Sequence, residues 1–131
     1  MTPEPMIILP ESGRGGRAVR GTALVIGDWT VGGAEREVAP LHVHHTDDEA
    51  WHVVSGALRF RFADQEVTAP AGATVVVPAG TPHTFGNARS VPSRFIIILP
   101  TRLDELISQL HASDPAEHPQ IYRRYASELL E

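Results

Sequence analysis

Apolar and polar residues alternate with a period of two through most of the chain, in short runs. Leu58-Arg59-Phe60-Arg61-Phe62 sets three large apolar side chains on one face and two arginines on the other, the pattern of a half-buried strand. Trp51 and Val53 alternate with His52 and Val54 in the same way. Residues 94 to 99, RFIIIL, are a nearly continuous β-branched run and predict a strand covered on both faces. Residues 21 to 31 predict a strand bent at Gly27-Asp28, and residues 35 to 39 a strand leading into Pro40. Met6 to Leu9 reads as a short edge strand, followed by a breaker-rich loop at residues 10 to 16. Gly56-Ala57, Asp64-Gln65 and Pro70-Ala71-Gly72 are turn signals. Short strands every eight to twelve residues with such turns between them predict an all-β sandwich or barrel.

After Pro100 the period changes. Leu103, Leu106, Ile107 and Leu110 recur at helical spacing, behind Thr101 and Asp104 in a capping-box-like start. Asp114-Pro115 opens a second helical segment, interrupted early by Pro119 and read as running to Glu131. Ile121, Tyr122, Tyr125, Leu129 and Leu130 give that segment an apolar stripe, so the tail is expected on the barrel exterior or against a second subunit. At 131 residues the expectation is one domain, 1–131, with a barrel core at about 20–100 and a helical tail at about 101–131. Surplus apolar surface at the N-terminal segment, the 95–99 run and the tail predicts a homodimer.

Composition narrows the chemistry. The chain has no cysteine, which excludes disulfides, thiolate catalysis and zinc–thiolate sites. All eleven basic residues are arginine, so lysine Schiff-base chemistry is excluded too, and the Arg-rich, Ala/Gly/Pro-rich usage suggests a bacterial source. A net charge of −5 without a basic cluster argues against nucleic acid as a partner. No apolar run reaches the length of a membrane span, and MTPEPMIILPE lacks the form of a secretory signal, so the expected location is cytoplasmic.

The candidate chemistry lies in Leu41 to Gly56, LHVHHTDDEAWHVVSG. His42 and His44 are two apart and share one face of an extended strand. Thr46-Asp47-Asp48 is turn chemistry, expected to return the chain antiparallel and bring Glu49 beside the two imidazoles. Further on, Pro78-Ala79-Gly80 is a turn with His83 just past it. Two imidazoles and a carboxylate converging from strands outline a metal site.

The two stretches resemble the paired motifs of the cupin superfamily. His42, His44, Glu49 and Gly56 match the first motif, and Gly72, Pro78, Gly80, His83 and Asn87 the second, while the first motif's opening glycine is replaced by Arg36. The resemblance implies a double-stranded β-helix, the cupin jelly-roll barrel, holding one divalent transition metal (Fe, Mn, Ni, Cu or Zn) on His42, His44, Glu49 and His83. It further implies Glu49 as a catalytic group, either a permanent ligand or a base that swings off the ion, and Trp51 and Phe85 as candidate cavity walls. His45 is expected in the turn or behind the ligands, His52 outward, His111 and His118 on the surface, and Asn87 in a structural role.

Small single-domain cupins with HxH followed by DDEAWHVVSG and a helical tail look like the quercetin dioxygenase-type group. That likeness implies a metal-dependent dioxygenase acting on a small hydroxylated organic substrate. The alternatives are a metal-dependent isomerase, lyase or cyclase without oxygen chemistry, and a non-catalytic small-molecule-binding cupin.

Overall fold

The computed structural model describes Glu4, Met6 and residues 17–33 and 36–131. The expected loop at 10–16, and the expected edge strand apart from Met6, lie outside the described residues.

The described chain builds two five-stranded antiparallel sheets and closes with a helical segment. The strands are β1 (Arg17–Arg20), β2 (Leu24–Val31), β3 (His42–His44), β4 (Glu49–Ser55), β5 (Ala57–Phe62), β6 (Glu66–Pro70), β7 (Thr74–Val77), β8 (His83–Asn87) and β9 (Ser93–Pro100). Then come α1 (Thr101–His111), a 3₁₀ turn (Pro115–Glu117), α2 (His118–Arg124) and β10 (Ser127–Leu129). One sheet runs β1-β2-β9-β4-β7 and the other β10-β3-β8-β5-β6.

The period-two pattern accounts for the core. Trp51 and Val53 of β4, Leu58 and Phe60 of β5, and Phe95, Ile97 and Leu99 of β9 all point between the sheets and are buried. Trp51, Phe60 and Phe85 form an aromatic cluster, with Trp51 ring centroids 5.2 Å from Phe60 and 5.4 Å from Phe85. His52 and Val54 face out, as their phase requires.

Several details depart from the sequence expectation. The β2 strand does not bend at Gly27-Asp28; both residues are paired in register to β1 and to β9. Asp28 is held there by Arg17 at 2.6 Å and by two bonds from Arg94 at 2.6 and 2.8 Å. Among the described residues, 36–40 form no strand; they meet β8 through a Glu37–Gly86 bridge and two further hydrogen bonds. Pro40, lacking an N–H, cannot continue a ladder. The β9 strand is not covered on both faces, since Ile98 is 40% exposed. Thr101 is the first residue of α1 rather than its cap, and Asp104 bonds Arg20 instead of closing a capping box. The second helix ends at Arg124; residues 127–129 are a strand because β3 offers a free edge on that side.

Two predictions arise here. Gly56 turns the chain from β4 into β5 at φ +77°, and a Cβ there would collide with the Ser93 side chain. Gly56→Ala combines left-handed strain with that overlap and is expected to destabilise by roughly 2 kcal/mol or more, read by urea unfolding. No change in midpoint would refute this. The second concerns Asp28, whose pKa the Arg94 hydrogen bond lowers from 3.8, against the desolvation that opposes it. A depressed carboxylate stabilises the fold above its unfolded value and loses that contribution as pH falls through the lower folded value. Asp28→Asn should therefore lower the thermal midpoint at pH 7, and the gap from the parent should close below about pH 3.8. A gap constant with pH would contradict it.

Candidate metal centre

The four candidate ligands meet between the sheets. His42 and His44 project from β3 and His83 from β8, its neighbour, where His42 and His83 are directly paired. Glu49 comes from the first residue of β4, in the opposite sheet. The 45–48 segment is therefore a crossing between sheets, not the hairpin turn expected, and Glu49 reaches the histidines across the interior. The side chain of Asp48 in that crossing accepts a hydrogen bond from Ala79 N at 2.8 Å, tying it to the turn before His83. Gly80 of that turn, at φ +85°, donates its N–H to the His44 carbonyl at 2.7 Å.

One donor atom from each of the four residues lies within 4.8 Å of all the others. The Nε2 atoms of His44 and His83 are each 3.0 Å from Glu49 Oε1. Two donors at right angles on an ion about 2.1 Å away sit about 3.0 Å apart, so this spacing fits a transition metal. The Nδ1 atoms point outward to oxygen: His42 donates to the Pro40 carbonyl and His83 to the Thr81 carbonyl, both at 2.8 Å. His44 Nδ1 lies 2.7 Å from Ser127 Oγ. With the hydrogens on Nδ1, the Nε2 lone pairs face the carboxylate oxygen. Such an arrangement is stable only with a cation in it, a proton in the metal-free protein or a metal ion.

The electrostatics agree. Burial, and next the neighbouring His83, push His42 down to about 4, so it is neutral at pH 7 as a ligand must be. Burial acts to raise Glu49; where His44 and His83 donate to it in the metal-free protein, those contacts outweigh burial and bring it to about 2. Three neutral imidazoles and one carboxylate suit a divalent first-row ion.

The centre opens into a cavity of about 920 Å³. Trp51 and Phe85 line it, together with Trp29, Phe95 and Ile97. The helical tail supplies another wall through Leu106, Leu110, Pro119 and Tyr122. His111 is exposed, as expected, and His118 is half-buried; both also line the cavity, and His118 Nε2 donates to the Leu110 carbonyl at 3.0 Å. Tyr122 is buried with its ring centroid 5.5 Å from that of His42; burial, with Glu49 nearby, raises its phenol to about 12. His45 is exposed beside Glu128, and His52 faces out to Thr74 at 2.8 Å. Asn87 is buried and structural, bonding Gly32 O, Val91 O and Ser93 Oγ.

Sequence reasoning missed Tyr122 and Ser127 as neighbours of the centre. Both lie in a segment whose apolar spacing suits one amphipathic helix, and nothing local marks the strand that carries Ser127.

Solved structures similar to this one share its fold. A Bacillus halodurans protein aligns with a TM-score of 0.64 at 18% identity, over 75% of this chain and 82% of its own. A cupin-2 domain containing protein from Shewanella frigidimarina aligns with a TM-score of 0.55 at 27% identity, over 65% and 78%. A sugar phosphate isomerase from Silicibacter pomeroyi aligns with a TM-score of 0.55 at 22% identity, over 60% of this chain and 51% of its own. No curated protein matches the chain. The family model described as "Cupin domain" matches residues 29–99, more than half the chain and the span that carries all four candidate ligands, and the chain belongs to that family, Cupin_2.

Proposed function

We propose that this cupin is a metal-dependent dioxygenase acting on a hydroxylated, largely apolar organic molecule. The observation that carries the reading is the cavity: the His/Glu cluster opens into about 920 Å³ walled mainly by aromatic and aliphatic side chains. Two similar structures are named sugar phosphate isomerases, and an isomerase without oxygen chemistry is the competing reading. A phosphate calls for a cation to receive it. Among the described residues one arginine lines the cavity, Arg17, and it is engaged by Asp28 at 2.6 Å, which favours an uncharged substrate.

A divalent transition ion on the four ligands would supply Lewis acidity and, if redox-active, one-electron chemistry with dioxygen. The protein's part is to orient and to move a proton. Glu49 Oε1 lies 3.0 Å from both His44 and His83, and as a carboxylate released from the ion it could take the proton of a substrate hydroxyl onto its oxygen. Tyr122 stays neutral at pH 7 and is available as a hydrogen-bond donor to substrate. The tail helices wall one side of the cavity.

Elemental analysis of tag-free protein, followed by oxygen-uptake assays, tests the proposal. Uptake with hydroxylated aromatic compounds and none with sugar phosphates is expected. Isomerisation of a sugar phosphate without oxygen consumption would overturn it, and tight binding without turnover would assign a sensor.

The same proposal includes a homodimer. Ile26, Ile98, Ala50 and Val76 are paired across β2, β9, β4 and β7 as one outward apolar row. A second copy related by a two-fold axis would lay that row against itself. Light scattering at micromolar concentration should give twice the 14.2 kDa chain mass; the single-chain mass would contradict it.

A further inference from the structure

The three imidazoles are not held in the same way. His42 and His83 are oriented by carbonyls two residues before them on their own segments, at Pro40 and Thr81. Those acceptors are backbone, and no substitution removes them. His44 is oriented by a side chain 83 residues away, the hydroxyl of Ser127 at 2.7 Å.

We propose that Ser127 is a positioning residue of the metal centre: its hydroxyl, acting only as an acceptor, holds His44 with the hydrogen on Nδ1 and Nε2 bare toward the other ligands. This rests on the metal-dependent reading above. The direction of the bond follows from the second contact of the hydroxyl. Ser127 Oγ lies 3.0 Å from the Tyr125 carbonyl, which has no hydrogen to give, so the single hydroxyl hydrogen goes there. Only lone pairs then face His44, and Nδ1 must donate.

The strand places the hydroxyl. Ser127 lies directly opposite His44 in the antiparallel pair of β10 and β3, so the two side chains share the inward face, and Ser127 is buried. The register is clamped on both sides of the pair. His45 N donates to the Ala126 carbonyl and Leu130 N to the Leu41 carbonyl. The Glu131 side chain accepts from Leu41 N at 3.1 Å and from Arg61 at 2.8 and 2.9 Å. Tyr122 lies five residues before Ser127. The C-terminal segment thus contributes both a cavity wall and an orienting contact for one ligand.

Zinc(II) affinity of full-length protein, measured by competition with a chromophoric chelator, tests the inference. Ser127→Ala is expected to weaken binding about 10- to 100-fold, the usual cost of losing a hydrogen bond behind a ligating histidine. Ser127→Thr, which keeps the hydroxyl and suits a strand, should restore parental affinity. Glu128→Ala, exposed on the same strand, should leave affinity unchanged. Long-range ¹H–¹⁵N spectra of the metal-free protein at alkaline pH should show a single Nδ1–H tautomer at His44 in the parent and a mixture in Ser127→Ala. Parental affinity and an unchanged tautomer in Ser127→Ala would overturn the inference. So would equal losses in the Ala and Thr variants together with loss of amide protection in β10, which would reduce Ser127 to strand packing. Should the parent itself not bind zinc, the metal reading fails, and the tautomer measurement still decides the role of Ser127.

Discussion

Glu49→Gln protein is expected to hold a divalent metal at least roughly 100-fold more weakly than the parent, a loss of about 2.7 kcal/mol at 1.36 kcal/mol per tenfold. The change keeps the shape of the side chain and removes the one negative charge among the four candidate ligands. That charge is buried and sits 3.0 Å from two imidazoles, where water screens it poorly. Two unit charges 4 Å apart at an effective dielectric of 20 interact by about 4 kcal/mol, so the loss is well within reach even after water replaces part of it. Chelator competition with elemental analysis measures the effect. If occupancy survives while turnover falls by roughly 10² to 10⁴, Glu49 is a base that only visits the ion. The double variant His42→Ala/His83→Ala should hold no stoichiometric metal, and a retained ion there would place the site elsewhere.

The second large effect is on stability. Phe60 is fully buried, edge-on to Trp51 at 5.2 Å and stacked near Phe85 at 5.7 Å. Phe60→Ala removes a ring from between two aromatics that cannot both collapse into the space, and is expected to cost about 3–5 kcal/mol. At this chain length that lowers the thermal midpoint by about 10 to 20 °C. Because Trp51 and Phe85 are also cavity walls, the variant should relax the cavity as well as the core. Val91→Ala, exposed and outside that apolar row, is the contrast, with an expected change near zero. Equal midpoints for the two variants would show that the aromatic cluster is not the centre of the core.

Much of this molecule is local in origin, and that part was legible. The alternation in Leu58 to Phe62 and in Trp51 to Val54 marks strands because side-chain direction follows the period of the backbone, whatever lies opposite. His42 and His44 share a face for the same reason. The spacing that joins them to Glu49 and His83 selects the same four residues that the structure brings within 4.8 Å. What the sequence could not carry is which edge each strand finds. Whether 45–48 turns back as a hairpin or crosses to the opposite sheet depends on β9 and β7 flanking β4, contacts far away in the chain. The apolar stripe from Ile121 to Leu130 satisfies a helix, and only the open edge of β3 converts its end into β10. That conversion sets Ser127 behind His44 and Tyr122 beside His42. By itself the sequence determined the alternating strands, the candidate donor residues and the face that His42 and His44 share, because each depends on near neighbours. Tertiary structure alone decided the sheet each strand joins, the cavity under the tail and the orienting contact on His44, because each depends on pairing between residues distant in the chain.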